Sequence, residues 1–166
     1  MLRNKGLLLK MELSQIAQAI REKFPEAILE EPKTAIVIKK ESLLAVAQFL
    51  KESDLSFSNL HCVTAVDWKN KIDVLYHLYS FKHKIMLTLK VFLSLEDLTV
   101  ESLAGIWRSA DWLEREVFDL FGVKFLNHPD LRRILNPDEW TYYPLRKDFS
   151  HPEFIRKPET PGLKGA

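Results

Sequence analysis

From residue 57 onward the apolar side chains change from a helical spacing to alternation, and that change constrains the fold more than any other feature of the chain. The clearest stretch is 84–93, where Ile85, Leu87, Leu89 and Val91 fall on one side and Lys84, Thr88 and Lys90 on the other. Successive side chains of a strand point to opposite faces, so the pattern is that of a strand with one dry and one wet side, as in an antiparallel sheet. Two more strand candidates, 59–66 and 72–79, connect through turns at 67–71 and 80–83, and 59–93 reads as a meander.

Helical spacing flanks the meander. Ile16, Ala17, Ile20 and Phe24 recur behind Ser14, a candidate N-cap, until Pro25 stops the pattern. Apolar runs at 27–29 and 34–38 predict a strand, a turn and a strand. Ser42 is placed to cap a second helix with Leu43, Val46, Ala47 and Leu50 inside. After Ser94, Leu95, Leu98 and Leu103 predict renewed helix towards Trp107, and 112–121 makes about three turns that Gly122 can close. The expected fold is α+β, a largely antiparallel sheet with helices packed on one face, occupying residues 1–128. Met11, followed by Glu12, reads as an alternative start, so 1–10 is expected to fray. Six of the eight prolines lie between 129 and 161, and residues 129–166 are expected to form an extended Pro-rich tail laid along a partner.

Composition removes several classes of function. Twenty-four Lys and Arg balance 23 Asp and Glu, leaving no global field for nucleic acid or anionic lipid. One cysteine, Cys62, permits neither a disulfide framework nor a thiolate set for zinc or an iron–sulfur cluster, and its apolar run suggests a small core residue. His61, His77, His83, His128 and His151 include no pair at metal-ligand spacing; His77 and His83 flank a turn but lack a third ligand. Glu114 and Glu116, two apart on a helix, point to different sides and cannot share one substrate atom. The glycines are scattered and form no phosphate cradle.

What remains is the stretch from Trp112 to Leu135, dense in charged and large apolar side chains. Leu113, Val117, Leu120 and Phe121 form the stripe expected to face the sheet, while Trp112, Glu116 and Asp119 share a second face and Arg115 stands one turn from Asp119. Trp107, Trp112, Phe118 and Phe121 cannot all point inward, so a second packed surface is expected. Arg132, Arg133, Arg146 and Lys147 are the one local basic concentration, suited to partly buried ion pairs with Glu114, Glu116, Asp119 or partner carboxylates.

Three parts of this region carry a resemblance. Ser109-Ala110-Asp111-Trp112 leads into Glu114-Arg115-Glu116 and Asp119-Leu120-Phe121; then come His128-Pro129-Asp130-Leu131-Arg132-Arg133-Ile134-Leu135 and Pro144-Leu145-Arg146-Lys147-Asp148-Phe149. Together they resemble the C subunit of the proton-pumping NADH:quinone oxidoreductase, respiratory complex I. Tyr142-Tyr143 and Ser150 depart from the family pattern, which has a glycine-bearing turn and a proline there. The resemblance implies a non-catalytic, cofactor-free protein docked on the D and B subunits, with iron–sulfur clusters, flavin and quinone in its partners. It also implies a peripheral place on the cytoplasmic face of the inner membrane. The interface residues it implies are Trp112, Glu114, Arg115, Glu116, Asp119, His128, Arg132, Arg133, Pro144, Leu145, Arg146, Lys147, Asp148 and Phe149. The alternatives are the equivalent subunit of an energy-converting hydrogenase or reduced-cofactor dehydrogenase, and a stand-alone small-molecule enzyme.

Overall fold

The computed structural model describes residues 12–150. Its first helix, α1 (Leu13–Lys23), begins before the point at which Ser14 would cap it: Glu12 is the N-cap, and it exchanges hydrogen bonds with Gln15 in a capping box. Ile16, Ala17 and Ile20 are its buried stripe, and Phe24 meets Phe49 edge-to-face with centroids 5.9 Å apart. Of the strand, turn and strand predicted at 27–38, only the second half is a strand, β1 (Ile36–Ile38); Ile28 contributes a single bridge to Ile38. Ser42 does stand at the N-cap position of α2 (Leu43–Glu52), though after a tight turn over Lys40–Ser42 and without a side-chain cap bond.

The meander forms as its alternation predicts, from β2 (Asn59–Asp67), β3 (Lys71–Ser80) and β4 (Ile85–Ser94). The sheet order is β1-β4-β3-β2, antiparallel within the meander and parallel where β1 joins β4. Register puts Val63, Tyr76 and Leu89 in one cross-strand row and Ala65, Val74 and Val91 in the next, all facing inward. A bulge between Leu60 and Cys62 keeps Leu60 on that inner face, and Cys62 turns out half-buried on the opposite one, outside the core.

The predicted helix after Ser94 is not there. Asp97 accepts hydrogen bonds from the Thr99 backbone N–H and hydroxyl, a local competitor of helix, and the chain extends into β5 (Thr99–Glu101). β5 pairs in parallel with β6 (Lys124–Leu126), a two-stranded ribbon with Val100 and Phe125 buried. Between them lies α3 (Ala110–Phe121), closed by Gly122 in the left-handed conformation at φ 80°. The buried faces of all three helices meet the inner face of the sheet in one apolar cluster, an α+β architecture with helices on one side.

After β6, the described residues 127–150 contain no helix or strand and turn back over α3 and the end of β2. This is the visible part of the segment expected as an extended tail; His151 and the rest of that segment lie outside the described residues, as does the expected frayed 1–10.

Candidate docking site on helix α3

The stripe of α3 that faces the sheet is Ala110, Glu114, Val117 and Phe121, with Leu113, Phe118 and Leu120 half-buried beside it. The expected apolar stripe therefore carries a carboxylate. Glu114 is wholly buried; its Oε1 accepts the Leu103 N–H at 2.7 Å and its Oε2 accepts the Ser102 hydroxyl at 2.6 Å, tying α3 to the turn that precedes it. Burial pushes its carboxyl up to about 7 against the downward pull of those two bonds, and Asp111 adds to the rise.

Asp119 is just as buried and electrically opposite. Its oxygens accept from Arg133 Nη1 at 2.6 Å, from the backbone N–H groups of Ile134, Leu135 and Asn136, and from Asn136 Nδ2. Burial alone would raise its pKa; the bonds from Asn136, Arg133 and Leu135 hold it well below the usual carboxylate range. The i,i+4 pair expected between Arg115 and Asp119 does not form. Asp119 is saturated by residues 133–136, and Arg115 instead donates through Nε to the Arg132 carbonyl at 3.2 Å and reaches Asp130 at 3.9 Å. The second face expected for Trp112, Glu116 and Asp119 is accordingly split: Glu116 is exposed, Trp112 is 62% exposed, and Asp119 lies beneath the returning chain.

Of Trp107, Trp112, Phe118 and Phe121, Trp112 is the one left outside, with Trp107 and Phe121 in the core and Phe118 half-buried. The Arg115 guanidinium, itself buried, lies 4.7 Å from the centroid of the Trp112 ring and fixes it in place. His128, whose side chain is fully buried, bonds the Asp111 carbonyl through Nε2 at 3.0 Å and accepts the Asp130 N–H at Nδ1. Arg132 is exposed and paired locally with Asp130 at 2.9 Å. Arg133 bridges inward, from Asp119 to the Tyr142 carbonyl and the Tyr143 ring.

The Pro144–Phe149 stretch is fastened by backbone. The Leu145 N–H donates to the Leu120 carbonyl, and the Lys147 N–H donates to Asp67 Oδ2 at 2.8 Å. Leu145 is 53% exposed, Pro144 is half-buried, Arg146 pairs with Asp148, and Phe149 lies against Tyr142. Asp67, Ser102, Asp130 and Asn136 were not among the predicted residues; the signal that could have found them is their capacity, as short polar side chains, to bond backbone in turns. Of Arg132, Arg133, Arg146 and Lys147, it is Arg133 that forms an ion pair with a carboxylate of α3. His77 and His83 take separate partners, Thr88 and the Asp54 carbonyl. Among the described residues no group of three or more His, Cys, Asp or Glu is placed to hold a metal ion.

Comparison with known proteins gives this geometry its context. A family model described as the respiratory-chain NADH dehydrogenase 30 Kd subunit matches residues 36–154. The C subunit of the NADH-quinone oxidoreductase of Geotalea uraniireducens (strain Rf4) is 42% identical over 137 residues, covering 78% of this chain and 83% of that protein. The protein of the same name from Geobacter sulfurreducens is 42% identical over 138 residues, covering 78% and 85%. Among solved structures, a trypsin-resistant fragment of Nqo5 superposes with a TM-score of 0.61 at 26% identity, covering 73% of this chain and 100% of the fragment. A chain of the membrane-bound sulfane sulfur reductase, an archaeal respiratory membrane complex, superposes with a TM-score of 0.68 at 28% identity, covering 82% and 85%.

Proposed function

Since the chain belongs to the family of the respiratory-chain NADH dehydrogenase 30 kDa subunit, and so is a subunit of the multi-subunit NADH-quinone oxidoreductase, we propose that it serves there as a scaffold without a catalytic centre of its own. It docks through the ledge built on α3 and residues 128–149, with the D and B subunits as its chief partners. Iron–sulfur clusters, flavin and quinone belong to the partner subunits, and this chain holds none of them. No helix among the described residues is long and apolar enough to cross a membrane; the chain sits peripherally, on the cytoplasmic face of the inner membrane, carried by its partners.

The observation that supports docking best is Trp112. An indole 62% exposed, yet held by a buried guanidinium, loses little freedom when a partner covers it. Aromatic anchors of this kind dominate interface energies, and truncating one costs about 2 kcal/mol or more of binding, roughly a thirtyfold loss of affinity. Trp112→Ala in the full complex should therefore leave the fold of the chain unchanged and weaken its assembly by that factor, measured by competition of labelled wild-type and variant chains for the complex. Equal incorporation with full quinone reduction would sink the docking role of this ledge.

A second reading, the equivalent subunit of another energy-converting membrane complex, is favoured by the likeness to the archaeal sulfane sulfur reductase. Purifying the native complex and asking whether NADH reduces its clusters separates the two.

A further inference from the structure

Glu114 is buried without a compensating cation. Among the described residues no Lys or Arg lies within ion-pair distance of it, whereas the buried Asp73 has Lys71 and Lys90, and Asp119 has Arg133. The groups that face it are Asp111, one turn back on α3; the Tyr76 phenol, on β3; and His128, from the segment after β6, with Nε2 3.9 Å from Oε2. Asp111 is acidic. Tyr76 is wholly buried, and burial first, then the Glu114 charge, pushes its phenol further towards the neutral form.

His128 is engaged at both ring nitrogens, and its Nε2 also lies 3.7 Å from Asp111 Oδ1. Its Nδ1 accepts the Asp130 N–H and its Nε2 points at the Asp111 carbonyl, which only accepts, so these partners assign the single ring proton to Nε2. A second proton, on Nδ1, would meet the Asp130 N–H head-on. The hydroxyl of Ser102 completes the cluster, donating to Glu114 while accepting the Ala104 N–H.

From this arrangement we propose that Glu114 is an internal proton-binding site whose protonation locks the first turn of α3, and with it Trp112, against the turn at 102–104. With the proton in place, Glu114 and Ser102 Oγ share one hydrogen bond and no net charge is buried at Glu114. Once the proton leaves, two carboxylates one helical turn apart, Glu114 and Asp111, repel each other with no Lys or Arg of the described residues within ion-pair distance of Glu114, and Asp111 immediately precedes Trp112. The docking ledge is then set more firmly below neutral pH than above it. This inference rests on the docking reading for its consequence, though the proton site itself does not.

The test is a carboxyl NMR titration of the full chain labelled with carbon-13 in glutamate, from pH 4 to 9, alongside indole fluorescence of wild type minus Trp112→Phe. One Glu carboxyl should titrate with a midpoint near 7, vanish in Glu114→Gln, and share that midpoint with the Trp112 fluorescence change. Ser102→Ala removes a bond that favours the charged form, so it should move the midpoint upward, and it keeps the test alive if Glu114→Gln fails to fold. If every glutamate titrates below pH 5.5, or Trp112 ignores the midpoint, the proposal is overturned. No partner is needed for these readouts, so they fail or succeed independently of Trp112→Ala in the complex.

Discussion

Two carboxylates, five residues apart on one helix and both without exposed surface, have their pKa values pushed in opposite directions. Asp119 collects five hydrogen-bond donors, one of them a guanidinium, and stays charged. Glu114 has two donors and no cation, and burial holds its proton on to about pH 7. Burial alone therefore does not set the charge of a buried acid; how deep it lies and the count and charge of its donors decide together. Asp119 is the nail that pins residues 133–136 to α3. Glu114 is a hinge pin that holds more firmly while neutral.

Removing the Asp119 side chain breaks that contrast most severely. Asp119→Ala strands three backbone N–H groups and leaves the Arg133 guanidinium, only 10% exposed, without its carboxylate. Loss of one partner of a buried ion pair costs roughly 3–5 kcal/mol, which urea unfolding should register as a lower midpoint. Limited proteolysis should also cut between 131 and 143. An unchanged midpoint would show that the 133–136 turn holds itself.

The two acids also predict opposite pH limbs. Asp119, held low in the fold, contributes stability above the unfolded carboxylate pKa of roughly 3.9 and loses it as pH falls below. Glu114, held high, is unpenalised below roughly 4.3; its cost to the fold builds as pH rises from there to about 7 and is complete above it. The displacement from 4.5 to about 7, at roughly 1.4 kcal/mol per pH unit, amounts to about 3 kcal/mol on the alkaline side. Unfolding free energy measured from pH 3 to 9 should peak between the limbs, and Glu114→Gln should flatten the alkaline one while leaving the acid one intact.

Gly122 tests the Asp119 end more gently. Its φ of 80° is left-handed, and a Cβ there would lie 2.7 Å from the Tyr143 ring on which Arg133 rests. Gly122→Ala should cost about 2 kcal/mol from backbone strain and ring displacement, with the alkaline limb from Glu114 unaltered. A loss under half of that would show that Tyr143 moves freely.

The same contrast explains what the sequence discloses. Alternation exposes β2 to β4 almost to their ends, because each strand has one dry face and the inner row must be apolar. Gly122 announces the end of α3 for the reason that makes it hard to replace, and the excess of aromatics requires one indole outside. The partners of Arg115 and Asp119 are hidden for the opposite reason. Helical spacing offers Asp119 to Arg115 for roughly 0.2–0.5 kcal/mol, while residues 133–136 offer five donors from fourteen or more positions away. Local rules do not see tertiary competitors. Likewise β5 and β6 are three residues each, too short to show a period, and Asp97 decides against the predicted helix through bonds no spacing rule counts.

Glu116 supplies the smallest effect and the sharpest control, since it lies two residues from Glu114 and is exposed. Glu116→Gln should change stability by less than about 0.5 kcal/mol, as surface substitutions do, and should leave both pH limbs in place. Its charge still reaches one group: burial first, and then Glu116, raise the Cys62 thiol above its ordinary pKa. Taking that charge away lowers the thiol pKa, so more thiolate is present at pH 8 and alkylation of Cys62 should run modestly faster than in wild type. Equal alkylation rates would mean that solvent screens the Glu116 charge completely. Any loss of the alkaline limb would mean that the pH response belongs to the surface of α3, with Glu114 no more than a bystander beneath it.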